Sequence, residues 1–207
     1  MLKSGTICFN DMYFFAEVTA KAAADAGMRA VASMILVDFL TRFTGTPEEY
    51  LRKGLALPTA AVTIFCPVAR LLAAGMNVAL GTDGTASNND LDMMGELRTA
   101  ALLGKGVADS PAALPAYTVL RMATLNGARA LGIDAETGSL ELGKSADMVA
   151  LDLRDPDTQP VYNPVFQVVY AAGCDQVRQV WGAGRHLIRD DEPTTLDSAA
   201  ILEEARE

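Results

Sequence analysis

The sequence predicts an α/β fold built on a parallel sheet, followed by a smaller β-rich tail. In the first 132 residues, β-branched apolar segments alternate with segments of helical periodicity, and several of the helical segments end in glycine. After Gly132, short alternating segments separated by glycines replace that pattern. Strands that alternate with helices pair in parallel, whereas short strands joined by glycine turns form antiparallel hairpins. The chain has 207 residues, 50% of them hydrophobic, which is enough for a substantial core.

The charge balance argues against a nucleic-acid partner. The sequence has 17 Lys and Arg against 26 Asp and Glu, a formal charge of -9, with no basic cluster. Binding to a phosphate backbone normally needs a positive patch. The longest apolar stretch, residues 59–81, is interrupted by Pro67, Arg70 and Asn77. A helix followed by a strand fits this stretch better than a membrane span, so no membrane partner is expected.

The cysteines indicate a reducing compartment. Cys8, Cys66 and Cys174 are far apart, odd in number and form no CxxC motif. We therefore expect three buried free thiols rather than a disulfide or a metal site. The first residues, "MLKSGTICFND", contain no apolar signal segment, and a cytoplasmic protein is expected.

A βαβ unit is predicted at the start of the chain. Residues 6–10 are β-branched and apolar, residues 16–26 are alanine-rich with helical spacing, and Gly27 is a stop signal. Residues 28–37 return to a strand-like pattern. The two strands should be parallel, with a right-handed crossover.

A second unit is predicted from Pro67 onward. "PVARLLAAG" has proline near the start and glycine at the end of an apolar helix, and a strand over residues 76–83 follows. Helices are predicted over residues 91–103 and 116–132. Residues 45–64 do not continue the pattern.

The tail is predicted to be β-rich. Residues 138–153 and 175–190 contain short alternating strands with glycine turns. Residues 197–207 read as a closing amphipathic helix with a solvated charged face.

Asp83 is the best candidate for chemistry on position alone. It follows an apolar strand, and polar residues beyond the carboxyl end of a parallel strand point into the functional cleft. Asp83 and Ser87 could equally cap the next helix or brace the turn. A calcium site is disfavoured, because Asn88 stands where an EF-hand needs glycine and no glutamate closes the loop. A calcium ion in this loop would be bound by oxygen atoms of Asp83, Thr85, Ser87, Asn89, Asp90 and Asp92.

The chain contains one histidine, His186, on a predicted strand of the tail. A single histidine cannot form the clusters that zinc sites use, so an ordinary surface or edge-strand role is favoured. No GxSxG, P-loop or GxGxxG motif is present.

Four blocks of sequence resemble the amidohydrolase superfamily, most closely its methylthioadenosine/S-adenosylhomocysteine deaminases. "NVALGTDGTASNNDLDMMGELRTAALL" is similar to the last barrel strand and the helix after it. "ATLNGARALG" and "GSLELGKSADMVALDL" resemble two further signatures, with Leu142 where proline is common. "GTICFNDMYFF" resembles the second barrel strand and its loop.

The resemblance implies a (β/α)8 TIM barrel with a divalent metal, zinc or else iron or manganese, and a small β-sandwich to which the tail contributes. In that superfamily the metal activates water, which attacks C6 of the adenine ring and releases ammonia. The metal-binding aspartate falls on Asp83, which would also accept a proton. The nucleoside could be methylthioadenosine, S-adenosylhomocysteine or adenosine.

The resemblance also implies that most of the site is missing. The HxH pair would lie before Met1, and the two later histidines and the acid/base glutamate belong to strands without a counterpart, with a deletion junction near residues 55–65. We expect an incomplete barrel over residues 1–132 and a β-rich segment with a terminal helix over residues 133–207. A full barrel needs about 250 residues, so exposed edges and self-association are expected.

Three hypotheses follow. The chain is a shortened deaminase relative that holds no stoichiometric zinc and has no activity, since one carboxylate does not bind catalytic zinc usefully. Alternatively, it is a non-catalytic assembly partner of an intact relative, or an incomplete record of a normal enzyme.

Overall fold

The computed structural model describes residues 1–11, 16–32, 66–84, 89–204 and 206. Three parts of the sequence prediction lie outside the described residues: the remainder of the second predicted strand, the irregular segment 45–64 and the expected junction at 55–65. The helices are α1 (Ala16–Ala26), α2 (Val68–Ala73), α3 (Met93–Val107), α4 (Ala116–Ala123), α5 (Leu125–Ala130), α6 (Pro164–Tyr170) and α7 (Ser198–Glu204). The strands are β1 (Cys8–Asp11), β2 (Arg29–Ala32), β3 (Met148–Leu151), β4 (Val177–Gly182), β5 (Arg185–Arg189) and β6 (Glu192–Pro193).

The predicted βαβ unit at the start of the chain is confirmed. Strands β1 and β2 pair in parallel, with Cys8 opposite Arg29 and Asp11 opposite Ala32. Helix α1 has the predicted bounds. Gly27 ends it with a φ of 76°, a left-handed conformation that costs glycine little.

Residues 76–83 were predicted to form a strand. This prediction is wrong for the part of the chain that the structure describes. These residues pair with no described strand. Two of their backbone groups are bonded to helices instead, because the Leu80 amide donates to the Met122 carbonyl at 3.1 Å and the Val78 carbonyl accepts from the Asn126 side chain at 2.9 Å. The sequence pattern therefore indicated an apolar segment correctly but not its partners.

The predicted helix over residues 116–132 is divided in two. Helix α4 ends at Ala123 and α5 begins at Leu125, with Thr124 at φ −123° and ψ −97° between them. The Thr124 hydroxyl donates to the Leu120 carbonyl at 2.8 Å, a local bond that bends or ends helices. The predicted helix over residues 91–103 is confirmed as α3, which runs to Val107.

The tail forms the predicted antiparallel sheet, in the order β3-β4-β5-β6. Ala183 and Gly184 join β4 to β5 with φ values of 50° and 77°, the pair of positive angles that a tight hairpin turn uses. Helix α6 between β3 and β4 was not predicted. Pro164 opens it and the Asn163 side chain caps it, accepting from the Val165 and Phe166 amides.

Helices and tail sheet share one core. Its fully buried residues come from α3, α4, α6, β4 and β5, together with the loops beside them. They are Met94, Leu97, Ala101, Leu114, Ala116, Val119, Met122, Val169, Ala172, Val177, Val180, Leu187 and Ile188. No helix in the described ranges is long and apolar enough to cross a membrane.

Asp147 joins the tail to the N-terminal unit. Its carboxylate, whose side chain is 8% exposed, accepts from the Arg29 guanidinium of β2. It also accepts from the Thr137 hydroxyl and from the Ala183 amide, each at 2.6 Å. A second Arg29 nitrogen donates to the Ser145 hydroxyl at 3.0 Å. One buried carboxylate thus connects β2, the loop before β3 and the β4–β5 turn.

Candidate functional site

Asp83 lies at the end of the apolar segment 77–82, in an unusual backbone conformation. Its φ is 59°, in the left-handed region, and its side chain is exposed. The preceding Thr82 is buried, and its hydroxyl donates to the Asp83 carbonyl at 3.1 Å. A non-glycine residue held in this region costs of order 1 kcal/mol, and such strain is concentrated at functional sites. Asp109, Leu114, Ala183, Asp190 and Asp191 also have a positive φ, so Asp83 remains the candidate because it combines this conformation with its place at the end of the apolar segment.

The segment before Asp83 is held by the junction of α4 and α5. The side chain of Asn126, which is 9% exposed, donates to the Val78 carbonyl at 2.9 Å. The Asn77 side chain donates in return to the Asn126 carbonyl at 3.0 Å. Sequence reasoning missed Asn126. The available signal was an amide within the otherwise apolar helical pattern of "ATLNGARALG".

The helix after the Asp83 loop is capped by a different aspartate. Asp92 accepts from the Met94 amide at 2.8 Å and is the N-cap of α3. The alternative that Asp83 caps this helix is therefore wrong. Thr85 and Ser87, which were considered for capping or for calcium, lie outside the described residues.

His186 is fully engaged within the tail. It lies on β5, and its ring stacks on Trp181 with centroids 4.8 Å apart. Its Nε2 bonds to the Gln179 side chain, and its Nδ1 accepts from the Arg189 Nε at 3.2 Å. With Nδ1 accepting, the proton is on Nε2, which leaves neither nitrogen available as a metal ligand. The ring is half-buried, and because β5 lies between β4 and β6 the expected edge-strand position is wrong.

The residues present do not fit a catalytic zinc centre. Within the described ranges, no three His, Cys, Asp or Glu side chains are grouped so that they could hold a metal ion. Catalytic zinc uses three protein ligands, and histidine is the most frequent of them. The whole sequence has one histidine, which is the engaged His186.

A shallow depression of about 600 Å³ lies on the tail sheet and not at Asp83. Its lining is mainly polar and consists of Ala150, Leu151, Asp152, Arg154, Arg178, Gln179 and Asp190. The Arg154 guanidinium donates to Asp152 at 2.6 Å and lowers the pKa of that carboxyl well below its usual range. Arg178 pairs with Asp191. The charged groups there balance one another, so we assign them to the structure of the sheet.

The three cysteines are free thiols, but the expectation that they are buried is wrong, because Cys66 is exposed and Cys8 and Cys174 are only half-buried. Cys8 is half-buried on β1, and burial raises the pKa of its thiol. Burial also raises the pKa of Cys174, with Asp92 as the next cause. Neither thiol is activated as a nucleophile or a metal ligand would be.

Comparison with known proteins identifies the class of protein. Residues 61–186 match the amidohydrolase family. A 5-methylthioadenosine/S-adenosylhomocysteine deaminase of Teredinibacter turnerae is 33% identical, over 99% of this chain and 70% of that protein. A 5'-deoxyadenosine deaminase of Methanothermobacter thermautotrophicus is 52% identical, over 98% of this chain and 72% of the relative. The chain belongs to the amidohydrolase family, as the resemblance predicted.

Solved structures agree with this assignment. An adenosine deaminase from Xanthomonas campestris, crystallised with bound zinc, superposes with a TM-score of 0.85 at 30% identity, over 99% of this chain and 71% of that one. The atrazine chlorohydrolase of Arthrobacter aurescens, complexed with zinc, gives a TM-score of 0.63 at 31% identity. This match covers 68% of this chain and 31% of the chlorohydrolase. The architecture is therefore the TIM-barrel-like α/β fold of amidohydrolases.

The alignments are longer than the chain. The match to the Teredinibacter relative extends over 311 residues, whereas this chain has 207. Segments of the relative that lie inside the alignment consequently have no counterpart here.

Proposed function

We propose that this chain derives from metal-dependent enzymes that remove the amino group of an adenosine-type nucleoside by hydrolysis, and that Asp83 is its metal-binding position. The single observation that carries the proposal is the left-handed backbone of Asp83 at the end of a segment bonded to Asn126 and Met122. The names of the relatives, deaminases of methylthioadenosine, S-adenosylhomocysteine and 5'-deoxyadenosine, support this substrate class.

We further propose that the 207 residues by themselves hold no stoichiometric metal and have no deaminase activity. One exposed carboxylate, with the single histidine bonded to Gln179 and Arg189, does not supply the ligands of a catalytic zinc. Zinc would lower the pKa of a bound water if the remaining ligands were present.

The division of the chain follows from the same reasoning. Residues 1–132 represent an incomplete barrel with a junction near residues 55–65, and residues 133–207 the β-rich segment and terminal helix. The excess of aligned length over chain length supports an internal deletion.

The test is to restore the segments that are absent. A chimaera that receives them from the Methanothermobacter relative should deaminate 5'-deoxyadenosine, with the inosine-type product and ammonia measured by chromatography and an ammonia assay. Asp83→Asn in the chimaera should abolish the activity, and the unmodified 207-residue chain should give no product. An active chimaera that tolerates Asp83→Asn would refute the assignment of Asp83.

A second candidate function is favoured by exposed apolar side chains. Leu102 and Leu103 on α3, Tyr117 on α4, and Leu142 are between 44% and 106% exposed. Such surfaces mark association sites, so we propose self-association or assembly with an intact relative as the alternative. Sedimentation velocity would decide this: a monodisperse monomer at low micromolar concentration that also fails to co-purify with a full-length relative would exclude it.

A further inference from the structure

The junction of α4 and α5 is built around a buried amide. The helix stops at Thr124, and two residues later Asn126 lies 9% exposed between Leu125 and Gly127. A polar side chain that is this buried needs hydrogen-bond partners, and Asn126 uses its amide group to reach outside its own helix. Its partner, the Val78 carbonyl, is 48 residues away in sequence.

Three hydrogen bonds fix residues 77–80 from this junction. Asn126 donates to the Val78 carbonyl at 2.9 Å, Asn77 donates to the Asn126 carbonyl at 3.0 Å, and the Leu80 amide donates to the Met122 carbonyl at 3.1 Å. The bonds run in both directions, so the segment can neither slide along the junction nor rotate without breaking at least one. Asp83 follows Leu80 by three residues.

We propose that Asn126 is a positioning residue for Asp83: its amide orients the segment so that Asp83 is presented in the left-handed conformation. The inference rests on the proposed function for its meaning, since only a ligand-binding Asp83 needs such orientation. It does not depend on that function for its test. Asn126 acts on Asp83 through the Val78 carbonyl, to which it donates.

The chemistry of position 126 is specific. Asparagine places an N–H donor against the Val78 carbonyl oxygen, whereas aspartate of nearly equal volume would place a carboxylate oxygen there and repel it. Alanine would leave the carbonyl oxygen without this donor. The variants N126D and N126A therefore both remove the bond. N126D keeps the side-chain volume, whereas N126A reduces it.

The experiment is NMR on the ¹⁵N-labelled chain, with two readouts. Native-state hydrogen exchange of the Leu80 amide reports the segment, and the HN–Hα coupling constant of Asp83 reports its φ. In N126A and N126D, exchange at Leu80 should rise about tenfold, which corresponds to the loss of one hydrogen bond. The Asp83 coupling constant should move away from its left-handed value. Exchange in the core at Val119 and Val180 separates this local effect from global destabilisation.

Asn163→Ala is the matched control, because it removes asparagine hydrogen bonds at the start of α6 that touch neither residues 77–80 nor the junction of α4 and α5. It should leave both readouts unchanged. Should N126A and N126D fail to fold, Asn77→Ala removes one bond from an exposed side chain and should shift both readouts in the same direction. An unchanged Leu80 exchange rate, or an unchanged Asp83 coupling constant, overturns the inference. The deaminase assay of the chimaera tests the proposed function separately.

Discussion

Replacing Asp147 by asparagine tests whether one carboxylate joins the tail to the N-terminal unit. Asparagine keeps the volume and one acceptor oxygen, which can still receive the Ala183 amide. Its NH₂ group would face the Arg29 guanidinium or the Thr137 hydroxyl, both of which donate to the carboxylate in the native chain. The variant therefore places a donor against a donor and removes the negative charge.

The expected cost follows from burial. Removing one partner of a buried ion pair costs about 3–5 kcal/mol. The Asp147 side chain is 8% exposed but that of Arg29 is 27% exposed, so solvent compensates part of the loss. Since the Ala183 bond survives, we expect about 2–3 kcal/mol. Against a typical total of 5–15 kcal/mol for a whole domain, this is a large share.

Urea unfolding followed by circular dichroism measures this difference, analysed by linear extrapolation. The matched control is Asp134→Asn, which breaks the exposed pair of Arg129 and Asp134 at 3.7 Å. That pair should contribute less than about 1 kcal/mol. A double-mutant cycle with Arg29→Met should give a coupling energy of at least about 1 kcal/mol. Equal losses for the two aspartates, or no coupling to Arg29, would refute the role of Asp147.

Two further predictions concern local geometry. Gly138 and Gly143 have φ values of 89° and 91°, but a Cβ on Gly138 would lie 2.6 Å from the Ala128 Cβ, whereas one on Gly143 would meet nothing within 4 Å. Gly138→Ala should therefore lower the free energy of unfolding by more than Gly143→Ala, which should cost only the backbone strain of about 1–2 kcal/mol; equal losses would contradict the contact. Iodoacetamide should label exposed Cys66 well before half-buried Cys8, whose raised pKa keeps it a neutral thiol to higher pH, as mass spectrometry against time and pH would show. Equal labelling rates for the two thiols near pH 8 would count against the burial of Cys8.

Where local signals decide the structure, the sequence predicted it. Helix α1 was predicted over about residues 16–26 and ends where it was expected to end, because alanines and a glycine stop act within one segment. The β4–β5 hairpin was predicted because its glycine turn is also local. Helix α6 was missed although Asn163 and Pro164 are good start signals, since its seven residues give too short a periodicity.

Where distant partners decide, the prediction failed. A strand over residues 76–83 was expected, but whether an extended segment becomes a strand depends on its neighbours. Here Val78 and Leu80 bond to helices. The break at Thr124 accompanies the bond of Asn126 to a carbonyl 48 residues away, which periodicity does not reveal. At the candidate site, Asp83 was predicted from position and resemblance, and its role stays a prediction. Asn126 gives only a weak signal in the sequence, an amide within a helical pattern, and its bond to Val78 is visible only in the structure.

The zinc content of the purified chain tests the central claim most directly. The 207-residue protein would be loaded with zinc, passed through gel filtration and measured by inductively coupled plasma mass spectrometry beside Asp83→Asn. We expect far less than one zinc per chain, with the same residual content in both proteins, because one carboxylate and an engaged His186 cannot hold the ion. One zinc retained per chain, and lost with Asp83→Asn, would contradict it.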